Sequence, residues 1–591
     1  MRMRYKALWM VLMLTVSLPL FGTTWYIRPD GGTRYSAQVP TGQCDGKADV
    51  AYSKKGVNEH CAFNDFRFMW DDQSYGSNAW VMAGGDTVII RGCAANSNQA
   101  TPSDPACRIG WDAIWAGQSK FWCLGGSGYA GCFNPPIPSG TATRHTRILG
   151  QNYANCAAGN ATNHSALTQI FGGFGVGITL NLAGTRYVDV QCLEITEHNG
   201  KCGWFGAPAR PKGCFPGKDD YAQVGIRTSN KTSNLLLQDV SIHGFVARGI
   251  WGPIGGPITM NRVQVNFNGF AGWDFDDQAS PPTPDAPGSS ITANYVTMEG
   301  NGCSEEYPIV HAFPAMSCLD SGTGGFGDSW SGQDSELDSF TCNHCAQLYN
   351  TKDGFIGPHT QIKNLLIENS ESIGNGGQQW KWVTTPNSTT VFVNNLTIGN
   401  CSRLTAPIPG APNSNYANLG AICRAAGDIF SFSGAANSTV LIANNTTVGY
   451  SATMFDLSCQ SKNACGSTKY IFRNNIMLGF LNPKYSAGDA NVPGLYYLSD
   501  PSDSITADHN LYYNLRGSCG SLKGTDTICD DPLFVNEPAK TIKAESELDN
   551  FNFQLRKGSP AIGHGIAISG VTTDYYGHTR PNPPTIGASE P

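Results

Sequence analysis

Charge is scarce in this 591-residue sequence: Asp, Glu, Lys and Arg together make up 14% of it, against roughly 25% in an average soluble protein. That shortage excludes a coiled coil or a helical repeat, which would be rich in Glu, Lys, Ala and Leu. An excess of basic residues is also missing. With 39 Lys and Arg against 46 Asp and Glu, the net charge of −7 leaves no phosphate-neutralising surface and excludes a basic nucleic-acid binder. Beyond residue 21 no stretch approaches 18 uninterrupted apolar residues, so nothing downstream reads as a membrane span. What the chain does have is glycine (69), cysteine (20) and 40% apolar residues, with 13 Trp and 27 Phe. Disorder is therefore excluded, because that much apolar surface can bury a large core.

Arg2, Arg4 and Lys6 precede an apolar stretch at 7–21, followed by the small residues Gly22 and Thr23. This is the layout of an export signal cleaved near residues 22–24, and no stop-transfer pattern follows to favour an anchor. Cys44 is the first cysteine, so a lipid-anchored N-terminus is not indicated. An even cysteine count fits an oxidising compartment and several disulfides, with Cys93, Cys107, Cys123 and Cys132 crowding one Gly/Pro-rich region. Their connectivity is left open by the sequence. The expected product is a secreted, monomeric protein.

Short runs alternating apolar and polar residues recur at 188–195, 235–242, 263–265, 291–298, 362–367, 391–398, 440–448 and 470–477. They read as strands of period two closed by Asn and Gly. Asn-Gly pairs begin at Asn199, Asn268, Asn301 and Asn375, at intervals of 69, 33 and 74 residues. The long intervals are close to three units of about 24, and the short one is one unit plus the Pro-rich insertion 280–288. Such a repeat, without helices and with Asn-rich turns, predicts stacked coils of a parallel β-helix. Asn suits those turns because it tolerates the left-handed conformation and its amide can ladder between coils. A β-sandwich is the alternative, but it needs hairpins between adjacent strands. The expectation is an all-β, single right-handed solenoid. Its parts are a signal at 1–23, a cap, first coil and Cys-rich insertion at 24–160, coils at 161–520, and a closing segment at 521–591.

In a β-helix, outward residues one coil apart become neighbours. Asp328, Asp353 and Lys381 stand 25 and 28 residues apart, so two carboxylates and a lysine would stack on one face. That set is the minimum for β-elimination on a uronic-acid polymer. The C5 proton, α to a carboxylate, is weakly acidic; its removal needs that carboxylate neutralised and a base provided.

The opening 25–32 with 85–91, and the closing series 531–535, 553–555, 558–562 and 574–577, resemble secreted right-handed β-helix proteins of the pectate-lyase-like superfamily. The run Asn350-Thr351-Lys352-Asp353-Gly354-Phe355, then Asn375-Gly376 and Lys381, is similar to family-nine polysaccharide lyases. The resemblance covers about 60 residues at motif level. It implies a polysaccharide substrate, a bound Ca2+ held by Asp328 and Asp353, and Lys381 as catalytic base. Lys352 stands where the family has the first of two paired aspartates, and Ile356-Gly357 lack the final one; a lysine repels a cation. Lys352, Trp330, Trp380 and Trp382 are the candidate substrate contacts. If 380–382 is a strand, Lys381 faces opposite to both tryptophans: either they are core and the lysine lines the groove, or the reverse.

Asp274, Asp276 and Asp277 form a second acidic cluster, able to serve a hydrolase or hold calcium, but more simply read as a solvated loop before Ser280-Pro281-Pro282. His243 and Arg248 lie one coil earlier, within reach of it. Cys342-Asn343-His344-Cys345 has metal-like spacing, yet the compartment favours a disulfide. Three functions remain in order: a lyase on a uronic-acid polymer, a hydrolase or epimerase on the same fold, and a non-catalytic glycan-binding β-helix. No membrane or nucleic-acid partner is expected.

Overall fold

The computed structural model describes residues 22–591 except 38, 65, 70–80, 93–108, 111–135, 157–166, 172–176, 197–223, 246, 277–283, 303–326, 333–334, 351, 356–359, 376, 400–428, 450–452, 458–465, 480–493, 517–523 and 537–550. Apart from one 3-10 turn at Phe66–Met69, its regular elements are all strands. The chain winds as a parallel β-helix, each coil contributing a strand to three sheets. The front sheet contains Ile178–Asn181, Val224–Arg227, Arg248–Trp251, Ala271–Asp274 and Trp330–Ser331, all parallel. It continues through the start of Trp380–Val393 into Phe430–Ser433, Thr453–Leu457 and Gly494–Leu498. The long strands Arg186–Thr196, Ser233–His243, Pro257–Asn266 and Ser290–Glu299 pass through both other sheets, first the side sheet and then the rear sheet.

Between side and rear sheets each coil turns on one left-handed residue, including Asp239, Arg262, Tyr295, Asn369, Asn394, Asn444 and Asn474 with φ of 49 to 56°. Asn is over-represented there because its short amide tolerates that region. The anticipated amide ladder is present and longer than the Asn-Gly pairs suggest. Asn268 bonds Asn301, Asn301 bonds Asn350, and Asn350 bonds Asn375, at 2.8–3.0 Å between side chains. Asn350 escapes an Asn-Gly search because Thr follows it. A second ladder, Asn395–Asn445–Asn475–Asn510, lines the side-to-rear corner itself, whereas the first lies at the rear-to-front corner, and its sequence signal is the repeated Asn-Asn pair.

The arithmetic of the repeat needs correction. Register runs Val188, Leu235, Ile258, Ile291, Phe340, Leu365, Thr390. The Asn-Gly intervals of 69 and 74 residues thus each span two coils, one of them lengthened by an insertion, and not three regular units. Three long insertions, 197–223, 303–326 and 400–428, each fall in sequence between a rear strand and the next front strand. The 33-residue interval is one coil with the Pro-rich insertion, as expected.

The coil interior is one continuous core. Trp273, Trp330, Phe355 and Trp380 stack along the front-sheet side at centroid separations of 5.8–6.4 Å. Cys44–Cys61, Cys156–Cys192 and Cys342–Cys345 are disulfides, so the metal-like spacing is a staple. Cys93, Cys107, Cys123 and Cys132 lie outside the described residues. No helix among the described residues is long and apolar enough to cross a membrane.

The closing segment does more than end the solenoid. Phe534, Phe553, Ala561, Ile586 and Ala588 pack on Ile398, Val448, Ile476 and Leu511 of the rear sheet. Hydrogen bonds from Tyr575 to Glu371 (3.1 Å), from Asn394 to the Thr573 carbonyl (2.8 Å) and from Ala588 N to Thr446 (3.0 Å) fasten it there. The later coils of the rear face are thereby covered.

Candidate functional site

Strand alternation decides the orientation of 380–382. Trp380 and Trp382 are 0% and 1% exposed in the core, so Lys381 projects from the outer face of the front sheet. Trp330 is equally buried at 0%. The expectation that Trp330, Trp380 and Trp382 contact substrate is therefore overturned: their indoles pack inside the solenoid against Phe340, Phe355, Phe392 and Phe432.

Asp328 and Asp353 occupy the corner immediately before the front strands, one coil apart. Backbone pairing fixes this: Ser329 N donates to the Asp353 carbonyl at 3.1 Å, and Gly354 N to the Gln378 carbonyl at 2.8 Å. Each carboxylate also caps the following coil. Asp353 N donates to Asp328 Oδ1 at 3.0 Å, and Gln378 N donates to Asp353 Oδ1 at 2.9 Å. Gly377 belongs to this geometry, since a Cβ there would overlap Asp353 Oδ1. The remaining oxygens face lysines. Lys352 Nζ lies 3.8 Å from Asp328 Oδ2, and Lys381 Nζ lies 3.5 Å from Asp353 Oδ2. The structure thus brings Asp328, Lys352, Asp353 and Lys381 into one cluster of two acid–lysine pairs.

Burial dominates the electrostatics. Desolvation raises the Asp328 carboxyl to about 6, Lys352 opposes that rise, and the neighbouring Asp353 adds to it. Side-chain exposure is 3% at Asp328, 0% at Asp353, 7% at Lys381 and 17% at Lys352, so Lys352 is the member most open to solvent. Calcium does not fit the described residues. It takes six to eight oxygens, whereas both carboxylates here are already matched by an ammonium and a backbone N–H. No group of three or more acidic, His or Cys side chains suited to a metal occurs among the described residues.

In the second acidic cluster, Asp274 does not lie in a solvated loop. Asp274 ends the strand Ala271–Asp274, is 0% exposed, and pairs with Arg248 at 2.5 Å. Burial raises its carboxyl against the pull of Arg248. Asp276 N donates to Asp274 Oδ1 at 3.1 Å; Asp277 lies outside the described residues. Of the two neighbours expected to reach the cluster, Arg248 does. His243 instead bonds Glu194 at 2.7 Å on the rear sheet. Sequence reasoning missed the outward column Arg227, Trp251, Asp274, Ser331, whose last step alone is lengthened by insertions.

No family model matches the sequence, and no curated protein matches it. Solved structures do. The crystal structure of pectate lyase Pel9A aligns over 96% of both chains at 12% identity and a TM-score of 0.40. A rhamnogalacturonan lyase aligns over 87% of this chain and 91% of its own at 11% identity and a TM-score of 0.35. An alginate lyase from Paenibacillus sp. str. FPU-7 aligns over 75% and 93%, at 11% and 0.27.

Proposed function

We propose that this β-helix is an exported enzyme that cleaves a uronic-acid-containing polysaccharide by β-elimination on the outer face of its front sheet. The observation that supports it is the pair of acid–lysine contacts on successive coils at the edge of that face. Lys352, the most exposed of the four, is placed to neutralise the substrate carboxylate without a metal ion. Lys381 takes the C5 proton as the C4–oxygen bond breaks, a C4–C5 double bond forms, and the leaving oxygen takes a proton from water. Asp328 and Asp353 hold both lysines in place.

Incubation with pectate, alginate and glycosaminoglycans, with and without calcium, tests this by the ultraviolet absorbance of unsaturated products. Lys381→Ala should lower that rate about a hundredfold or more with the circular dichroism of the coil intact; retained activity refutes the base assignment. Reducing ends without absorbance would replace elimination by hydrolysis. The near-complete burial of Asp328, Asp353 and Lys381 favours a second reading, a non-catalytic glycan-binding coil whose acid–lysine pairs only brace the corner. Binding of polymer without any cleavage would select it.

A further inference from the structure

The outer face of the side sheet changes character along the solenoid. One register column places Thr259, Thr292 and Thr341 on three successive coils, then reads Leu366, Val391, Leu441 and Ile471 before returning to Thr506. Strand alternation fixes the direction of these side chains. Leu365 and Ile367, Val440 and Ile442, and Tyr470 and Phe472 are buried in the core, so Leu366, Leu441 and Ile471 between them point outward, as does Val391 in the same register. All four aliphatics are half-buried. A sheet face that meets water ordinarily carries polar residues at its outward positions, as the threonines of this column do. Four aliphatics on consecutive coils instead make an apolar stripe that a partner can cover.

The charges beside the stripe decide which partner fits. In the flanking column nearer the rear sheet, Glu368 stands at one end and Arg473 at the other; in the opposite flanking column the ends are Asn364 and Lys469. Glu368 is half-buried, burial raises its carboxyl, and no cation among the described residues pairs with it. Arg473 donates Nε to Asp508 at 2.8 Å and keeps a side chain 40% exposed. A second copy turned end for end, about a two-fold axis parallel to the strands, lays Leu366 on the partner's Ile471 and Val391 on the partner's Leu441. It also sets Glu368 against the partner's Arg473, twice by symmetry. A two-fold along the solenoid axis would instead oppose Arg473 to the partner's Lys469, a like-charge contact that disfavours it. We propose that this stripe is the self-pairing face of a two-fold dimer whose solenoids run antiparallel, in place of the expected monomer. The six coils from Thr341 to Thr506 span about 29 Å, and five-residue strands about 17 Å. Together they bury about 1,000 Å² over both copies, the lower end for a specific interface, so the dimer is reversible and in the micromolar range.

The test is sedimentation velocity of the whole protein from about 1 to about 100 μM. Wild type should pass from monomer to dimer across that range, and added salt should weaken the dimer. Leu441→Lys should stay monomeric with the circular dichroism of the coil unchanged. Glu368→Arg should weaken pairing about tenfold or more by facing the partner's Arg473, and added salt should now strengthen what remains. Glu368→Gln, which removes the charge alone, should lose less and serves if the arginine variant fails to fold. A wild-type protein that is monomeric at every concentration overturns the pairing, and so does a dimer that Leu441→Lys leaves unchanged. A dimer lost in Leu441→Lys yet indifferent to Glu368→Arg overturns the antiparallel register.

Discussion

Asp328 is a carboxylate that folding makes harder to ionise, and replacing it by Asn should stabilise the coil in a pH-dependent way. The carboxyl rises from 3.8 to about 6 on folding. An acid with a raised folded value binds its proton more tightly in the native state, so native stability falls as pH climbs from about 4 to about 6 and stays lower above that. Two units at 1.36 kcal/mol each give a penalty of about 3 kcal/mol at neutral pH. Asn removes the ionisable group but keeps an Oδ1 acceptor for the Asp353 N–H. It also removes the repulsion on Asp353, which retains Lys381. The loss is the contact to Lys352, whose side chain is 17% exposed and can be solvated. The assay is thermal unfolding of both proteins across pH 4 to 8. The two midpoints should coincide near pH 4 and separate above pH 6, with Asp328→Asn the more stable. A difference that is constant across that range, or a less stable variant at pH 8, would refute the desolvation argument.

Two further outcomes are expected. Asn350→Ala removes the amide that bonds Asn375 and the Met298 carbonyl and accepts from Asn301. With each buried unmet partner worth about 1–3 kcal/mol, denaturant unfolding should show a loss of about 3 kcal/mol or more, whereas an unchanged midpoint would mean that the ladder is incidental. Arg580→Ala leaves Glu590 without the partner it meets at 2.8 Å, both side chains being 5% exposed or less. An uncompensated buried charge costs about 3–5 kcal/mol. Limited proteolysis should then cut first within 551–591, and wild-type resistance there would show that the rear-sheet packing alone holds the segment.

The scaffold was legible because a β-helix is built from local rules repeated. Runs of period two mark the strands, and Asn marks the corners that need left-handed backbone; both signals are carried by residues next to one another in the chain. The coil count was misjudged because insertions such as 303–326 lengthen a turn without disturbing the register on either side, as Ile291 opposite Phe340 shows. Neighbours separated by a full coil were legible only where that coil kept its ordinary length. Asp328, Asp353 and Lys381 fall within such a stretch and do meet.

By itself the sequence determined that this chain must fold as stacked parallel strands with Asn-laddered corners, since alternation and turn chemistry are local properties. The tertiary structure alone decided which way each side chain faces and what it meets. The tryptophans beside Lys381 turned inward because the core needed filling. Both acids acquired lysine partners, and the closing segment covered the later coils of the rear sheet. These outcomes depend on burial and on distances between coils, and such quantities exist only once the coils are stacked.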